Sequence, residues 1–221
     1  MEASAAGTGR FAPTQRRDPT AGTDAAERVT FVPSPIADPG PLGLAAFALT
    51  TFVLSMFNSH LMGAGGEPVV YGLAFAYGGL AQLLAGMWEF RTGNTFGAVA
   101  FTSYGAFWLS FWAFVQFYAP KVPTADAGHA LGLYLIAWGI FTAYMFVASL
   151  RTTGAIALVF ALLALTFIVL GIGNAGGHTG IVKLGGWIGL ATALAAWYAS
   201  FAEVANSTFG RSVFPTVPLR R

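Results

Sequence analysis

The sequence predicts an all-α integral membrane protein, a bundle of six transmembrane helices around a central path. Three observations carry this. Charged residues make up only 9% of the 221 residues, against roughly 25% in soluble domains. Hydrophobic residues reach 56%. They fall into six runs, each long enough at about 1.5 Å per residue to cross a hydrocarbon core of about 30 Å.

The first run organises the rest. Pro39 and Pro41 set an extended lead-in and then occupy a first helical turn, where a missing N–H is tolerated. Residues 42–62 hold no charged side chain, yet Thr50, Thr51, Ser55 and Asn58 recur at helical spacing and make one face polar. In a membrane such a stripe faces a bundle interior or a water-filled path. Residues 63–68 make a tight connection. The second run, residues 69–90, carries Tyr77, Gly78, Gly79 and Gln82 and ends near Glu89 and Arg91. After a Thr-Gly-Asn turn, the third run (95–118) holds Thr102, Ser103 and Tyr104. Residues 119–128, with Pro120 and Pro123, are expected to form the longest internal loop. The fourth run covers 129–150. The fifth, 155–173, is the most apolar and breaks at Asn174. The sixth covers 181–204, with Lys183 near its start and Glu203 near its end.

One membrane domain, residues 38–205, is therefore expected between two cytoplasmic tails. Residues 1–37 are rich in Ala, Gly, Thr and Pro and are expected to be disordered, with no apolar core that would make a signal peptide. Residues 206–221 form the second tail. Of the eleven basic residues, Arg10, Arg16, Arg17, Arg28, Arg91, Arg151, Arg211, Arg220 and Arg221 share one side if the N-terminus is inside. Lys121 and Lys183 take the other. The positive-inside rule then places both termini in the cytoplasm of a multi-pass protein of the plasma (inner) membrane. The net charge of +2 sits mostly in the tails, so the implied partners are membrane lipids and not nucleic acid. Cysteine is absent, which excludes disulfides and thiolate metal sites.

No catalytic set stands out. There is no Ser-His-Asp arrangement in a supporting motif, no phosphate loop and no His-x-x-x-His, so neither an enzyme nor a cofactor is expected. His60, His129 and His178 would all lie at the outer face and are read as interfacial residues. A metal held by them would instead make a membrane enzyme. Between the helix ends no Asp, Glu, Lys or Arg lies near the bilayer midplane, whereas pumps and many coupled carriers keep one there. Glu89 and Glu203 are the only acids within the runs, each near an inner helix end, and Glu89 is read as a structural anchor that pairs with a nearby basic or hydroxyl group. The polar lining is left to Thr50, Thr51, Asn58, Gln82, Thr102 and Asn174. Hydroxyls of this kind also serve as glue between helices. The amides favour lining, because a buried amide has four hydrogen-bonding positions to satisfy. Such a lining suits a pore for small polar solutes or weak acids.

The chain also resembles a known family. Pro-x-Pro-Leu-Gly-Leu at 39–44, Tyr-Gly-Gly-Leu-Ala-Gln at 77–82, Gly-Asn-Thr-Phe-Gly at 93–97, Phe-Thr-Ser-Tyr-Gly-Ala-Phe-Trp-Leu at 101–109, Gly-Asn at 173–174 and Gly-Trp-Ile-Gly-Leu at 186–190 resemble the acetate uptake transporter family, the succinate–acetate permeases. The resemblance implies a six-helix protomer of a homohexamer, each protomer with its own path for acetate and related short carboxylates, a class that extends to succinate. It implies a narrow hydrophobic constriction at Phe47, Tyr104 and Leu163, the last placed only by its spacing before Gly173-Asn174. One departure is visible: Asp38 stands where the family signature has Asn, adding a negative charge near the inner mouth. The alternative is a urea or short-amide channel, which shares the six-helix hexameric plan; only the signature motifs decide between the two.

Overall fold

The computed structural model describes residues 36–219. The expected disorder of the N-terminal tail, and the arginines at 10, 16, 17, 28, 220 and 221, lie outside the described residues. Among the described residues, six helices are long and apolar enough to cross a membrane: α1 Gly40–Asn58, α2 Val69–Thr92, α3 Thr95–Lys121, α4 Thr124–Ser149, α5 Gly154–Ala175 and α6 Thr179–Phe209. Among the described residues there is no strand, only one antiparallel bridge between Thr153 and Pro218.

The helices pack in the order α4–α5–α6–α1–α2–α3. Glycines set the closest approaches. A side chain at Gly186 would lie 2.7 Å from the Cα of Ser59, and one at Gly189 would meet the Ser55 side chain, so α6 rests directly on α1. Small residues at such crossings let backbones meet where no hydrophobic force drives helices together. The ring closes differently between α3 and α4, whose backbones stand apart. Phe107 meets Trp138 edge-on at 5.3 Å and stacks with Tyr134 at 5.7 Å, and Tyr104 meets Phe141 at 5.4 Å. Bulky side chains set the larger spacing there. On the outer face of α4, Leu133, Ile140 and Val147 are exposed at seven-residue intervals, an apolar stripe suited to lipid or a neighbouring protomer.

Three features depart from the sequence expectation. The loop foreseen at 119–128 is almost all helical. α3 tightens through Ala119–Lys121 and α4 begins at Thr124, directly after Pro123. Proline is at home beside a helix N-terminus, and Asp126 in the first turn complements the helix dipole. Helix α6 runs to Phe209, past the expected end at Val204 and into the expected tail. Gly210 ends it with φ 64°, a left-handed cap that glycine adopts without strain. Finally, α2 widens into a π-helical stretch at Ala76–Ala81. Gly78 and Gly79 lie inside it, and a side chain at Gly78 would sit 2.9 Å from Thr50 Cβ. Local π turns of this kind are frequent at functional sites.

The described part of the C-terminal tail is fastened to the bundle. Asn206 Oδ1 accepts from the Val213 and Phe214 amides at 2.7 and 2.9 Å. Val217 and Thr216 carbonyls then accept from the Gly154 and Ala155 amides at 2.7 and 3.2 Å. The tail thus satisfies donors at the start of α5 that have no partner within that helix.

Candidate functional site

Phe47 on α1, Tyr104 on α3 and Leu163 on α5 are each at most 5% exposed. They line one small cavity with Leu44, Gln82, Ala100, Phe101, Val159 and Phe160. The cavity measures about 20 Å³, room for about one water. The Phe47 and Tyr104 rings lie 5.9 Å apart, and Tyr104 packs against Phe160 at 6.0 Å. These residues form a tight apolar neck between α1, α2, α3 and α5.

Two polar groups modify it. The Tyr104 hydroxyl is drawn away to Thr142 on α4, at 2.9 Å. Thr142 donates its own proton to the Trp138 carbonyl at 2.7 Å, so Tyr104 is the donor in the pair. The ring is thereby fixed, with its hydroxyl already engaged. Gln82 is 1% exposed, and its side-chain carbonyl has no hydrogen-bond partner. A buried unpaired amide oxygen carries a desolvation penalty of about 1–3 kcal/mol. It is an unfilled acceptor at the neck.

The other polar residues named from sequence sit elsewhere. Thr50 is wholly buried, donates to Ala46 O at 2.9 Å and packs on Gly78. Asn174 donates to Leu170 O in its own helix, at 2.8 Å. Thr102 packs on Gly86, and Asn58 lies where α1 crosses α6 at Gly186. Thr51 is buried with its hydroxyl unpartnered, as is the hydroxyl of Thr102. None of these five lines the cavity. Sequence reasoning did not single out Leu44, Phe101, Val159 or Phe160, because a lining leucine or phenylalanine looks like any core residue. It also missed the buried hydroxyl pair Thr166–Thr192, at 3.0 Å between α5 and α6. His60, His129 and His178 are exposed, and among the described residues no three histidine or acidic side chains gather as a metal site.

The six apolar spans of the described residues mark a multi-pass helical membrane protein, with one small apolar cavity among its helices. Comparison with known proteins agrees. The chain belongs to the GPR1/FUN34/yaaH family, which it matches over residues 22–221. It is 47% identical over 184 residues to Accumulation of dyads protein 2 of Saccharomyces cerevisiae, with 80% of this chain covered. The match spans only 65% of that yeast protein's length. It is 42% identical over 182 residues to the succinate-acetate/proton symporter SatP of Escherichia coli K12, covering 81% of this chain and 95% of SatP. A solved structure of the bacterial acetate channel SatP superposes with a TM-score of 0.77 at 39% identity, covering 82% of this chain and 99% of that one.

Proposed function

We propose that this protein is a permease, not an enzyme, that passes acetate and related short carboxylates such as succinate across a membrane through the neck at Phe47, Tyr104 and Leu163. The observation that supports the reading is the small apolar cavity at these three residues, with one unfilled amide acceptor, Gln82, at its wall. Acetate suits both features: its methyl group matches the aromatic walls and its carboxyl group needs one hydrogen-bonding partner. An apolar constriction excludes bulk water and hydrated ions by dewetting. Burying a bare carboxylate there is costly, so passage is easiest for a carboxyl group that carries its own proton, which Gln82 Oε1 then accepts. The names of the E. coli relative and of the superposed channel support the substrate class.

The proposed setting is the plasma membrane, with both termini cytoplasmic, in a homohexamer with one path per protomer. The exposed apolar stripe on α4 offers an oligomer contact. A urea channel lacks this support: the E. coli relative and the superposed channel are named for acetate. The test is uptake into proteoliposomes bearing the purified protein, with labelled acetate and labelled urea side by side. Acetate uptake above that of empty vesicles is expected; uptake of urea alone contradicts the reading.

A further inference from the structure

Three carboxylates converge at the end of the bundle where α1 begins. From the point where a Gly40 side chain would start, Asp38 Oδ1 is 3.0 Å away, Glu203 Oε2 3.4 Å and Glu89 Oε1 3.5 Å. The three come from the lead-in to α1, from α2 and from α6, so the fold and not local sequence assembles them. Glu89 is 1% exposed and its Oε1 has no hydrogen-bond partner; Glu203 Oε2 is buried and likewise unpartnered.

The surroundings supply little to hold three negative charges. Asp38 Oδ1 accepts from the Gly40 amide at 2.8 Å, and Glu89 Oε2 accepts from Thr92 at 3.1 Å. Asn94, in the turn before α3, flanks Glu89. The charged groups facing Glu203 are Asp38 and Glu89, and those facing Glu89 are Asp38 and Glu203. All are acidic, and no basic side chain among the described residues pairs with them. The N-termini of α1 and α3 each lend about half a positive charge. Together they offset about one of three. Carboxylates that share so small a site do not all ionise together.

We propose that Asp38, Glu89 and Glu203 form a proton-binding site, which holds at least one shared proton at neutral pH and, on releasing it, turns the α1 end of the path against anions. Gly40 lies one helical turn from Leu44, and Glu89 follows Gln82 by about 10 Å of helix; both Leu44 and Gln82 line the neck. Charge at the cluster therefore acts on a carboxylate approaching the constriction. No group of acidic or histidine side chains among the described residues is arranged to hold a metal ion. Asp38 adds its own negative charge to the site.

This inference rests on the carboxylate-permease reading, and two measurements separate their failures. In infrared difference spectra of the reconstituted protein, a protonated-carboxyl band is expected at neutral pH, diminished in Glu89→Gln and in Glu203→Gln. That band reads the cluster whether or not acetate moves. In acetate uptake, the pH profile of Asp38→Asn should shift toward lower pH by about one unit, a tenfold change in proton concentration, because the remaining pair releases its proton more easily. The speciation of acetate is the same for every variant and does not shift. Asp38 is exposed and its Asn variant keeps the acceptor for Gly40, so the oligomer should elute unchanged by size-exclusion chromatography. No protonated-carboxyl band, a band that responds to sodium and not to pH, or identical pH profiles for wild type and Asp38→Asn would overturn the proposal.

Discussion

Tyr104 reaches across the bundle to Thr142 on α4, at 2.9 Å, while Thr142 passes its own proton to the Trp138 carbonyl. The relationship is unequal, and the two single variants should differ. Thr142→Val strands a buried tyrosine hydroxyl, at a cost of about 1–3 kcal/mol. Tyr104→Phe leaves Thr142 still satisfied by Trp138 and should cost about 1 kcal/mol or less. Thermal unfolding in detergent is expected to rank Thr142→Val as the less stable; the reverse order would show that the donor assignment is wrong.

Gln82 allows a separation of folding from passage. Replacing it by Leu removes a buried acceptor with no partner, so the melting temperature should hold or rise. Acetate uptake should fall about tenfold, the equivalent of one hydrogen bond of about 1.4 kcal/mol. Loss of stability together with uptake would make Gln82 a structural residue.

The α1–α6 contact depends on glycine at one position. Gly186→Ala forces a methyl group against the backbone at Ser59 and is expected to destabilise by about 1–3 kcal/mol. Gly72→Ala meets nothing within 4 Å, and as an exposed helical site it should be neutral or gain up to about 1 kcal/mol. Paired thermal melts of the two variants check this.

Glu67 lies in the turn before α2, and burial holds its carboxyl above the usual 4.5. The native state then binds its proton more tightly than the unfolded chain, so stability on this account falls as pH rises through the window above 4.5. Glu67→Gln removes the effect. The variant is expected to gain melting temperature relative to wild type on going from pH 4 to pH 7. A constant difference would mean that burial does not perturb this group.

The helices were legible in the sequence because charge-free runs of membrane length have few other uses. Their ends were less so. The prolines at 120 and 123 suggested a loop, but both sit where a helix accepts proline. The charge-poor stretch after Val204 continues as helix until a glycine permits the left-handed cap. At the cavity, the family resemblance pointed to Phe47 and Tyr104 by motif position and to Leu163 by spacing alone, while periodicity gave only a polar stripe. A stripe does not say which neighbour covers it. Thr50 and Asn174 turn back onto their own helices, an option open to such side chains anywhere in a helix. The convergence of Asp38, Glu89 and Glu203 was invisible, because residues from opposite ends of the chain meet only once α6 lies on α1.

The measurement closest to the central claim is labelled-carboxylate uptake in proteoliposomes, comparing wild type with Tyr104→Ala for acetate and for the longer butyrate. If the ring at Tyr104 sets the width of the path, wild type moves acetate, and Tyr104→Ala raises butyrate uptake relative to acetate. An unchanged butyrate-to-acetate ratio in a folded variant, or no acetate uptake by the wild type, would contradict the account.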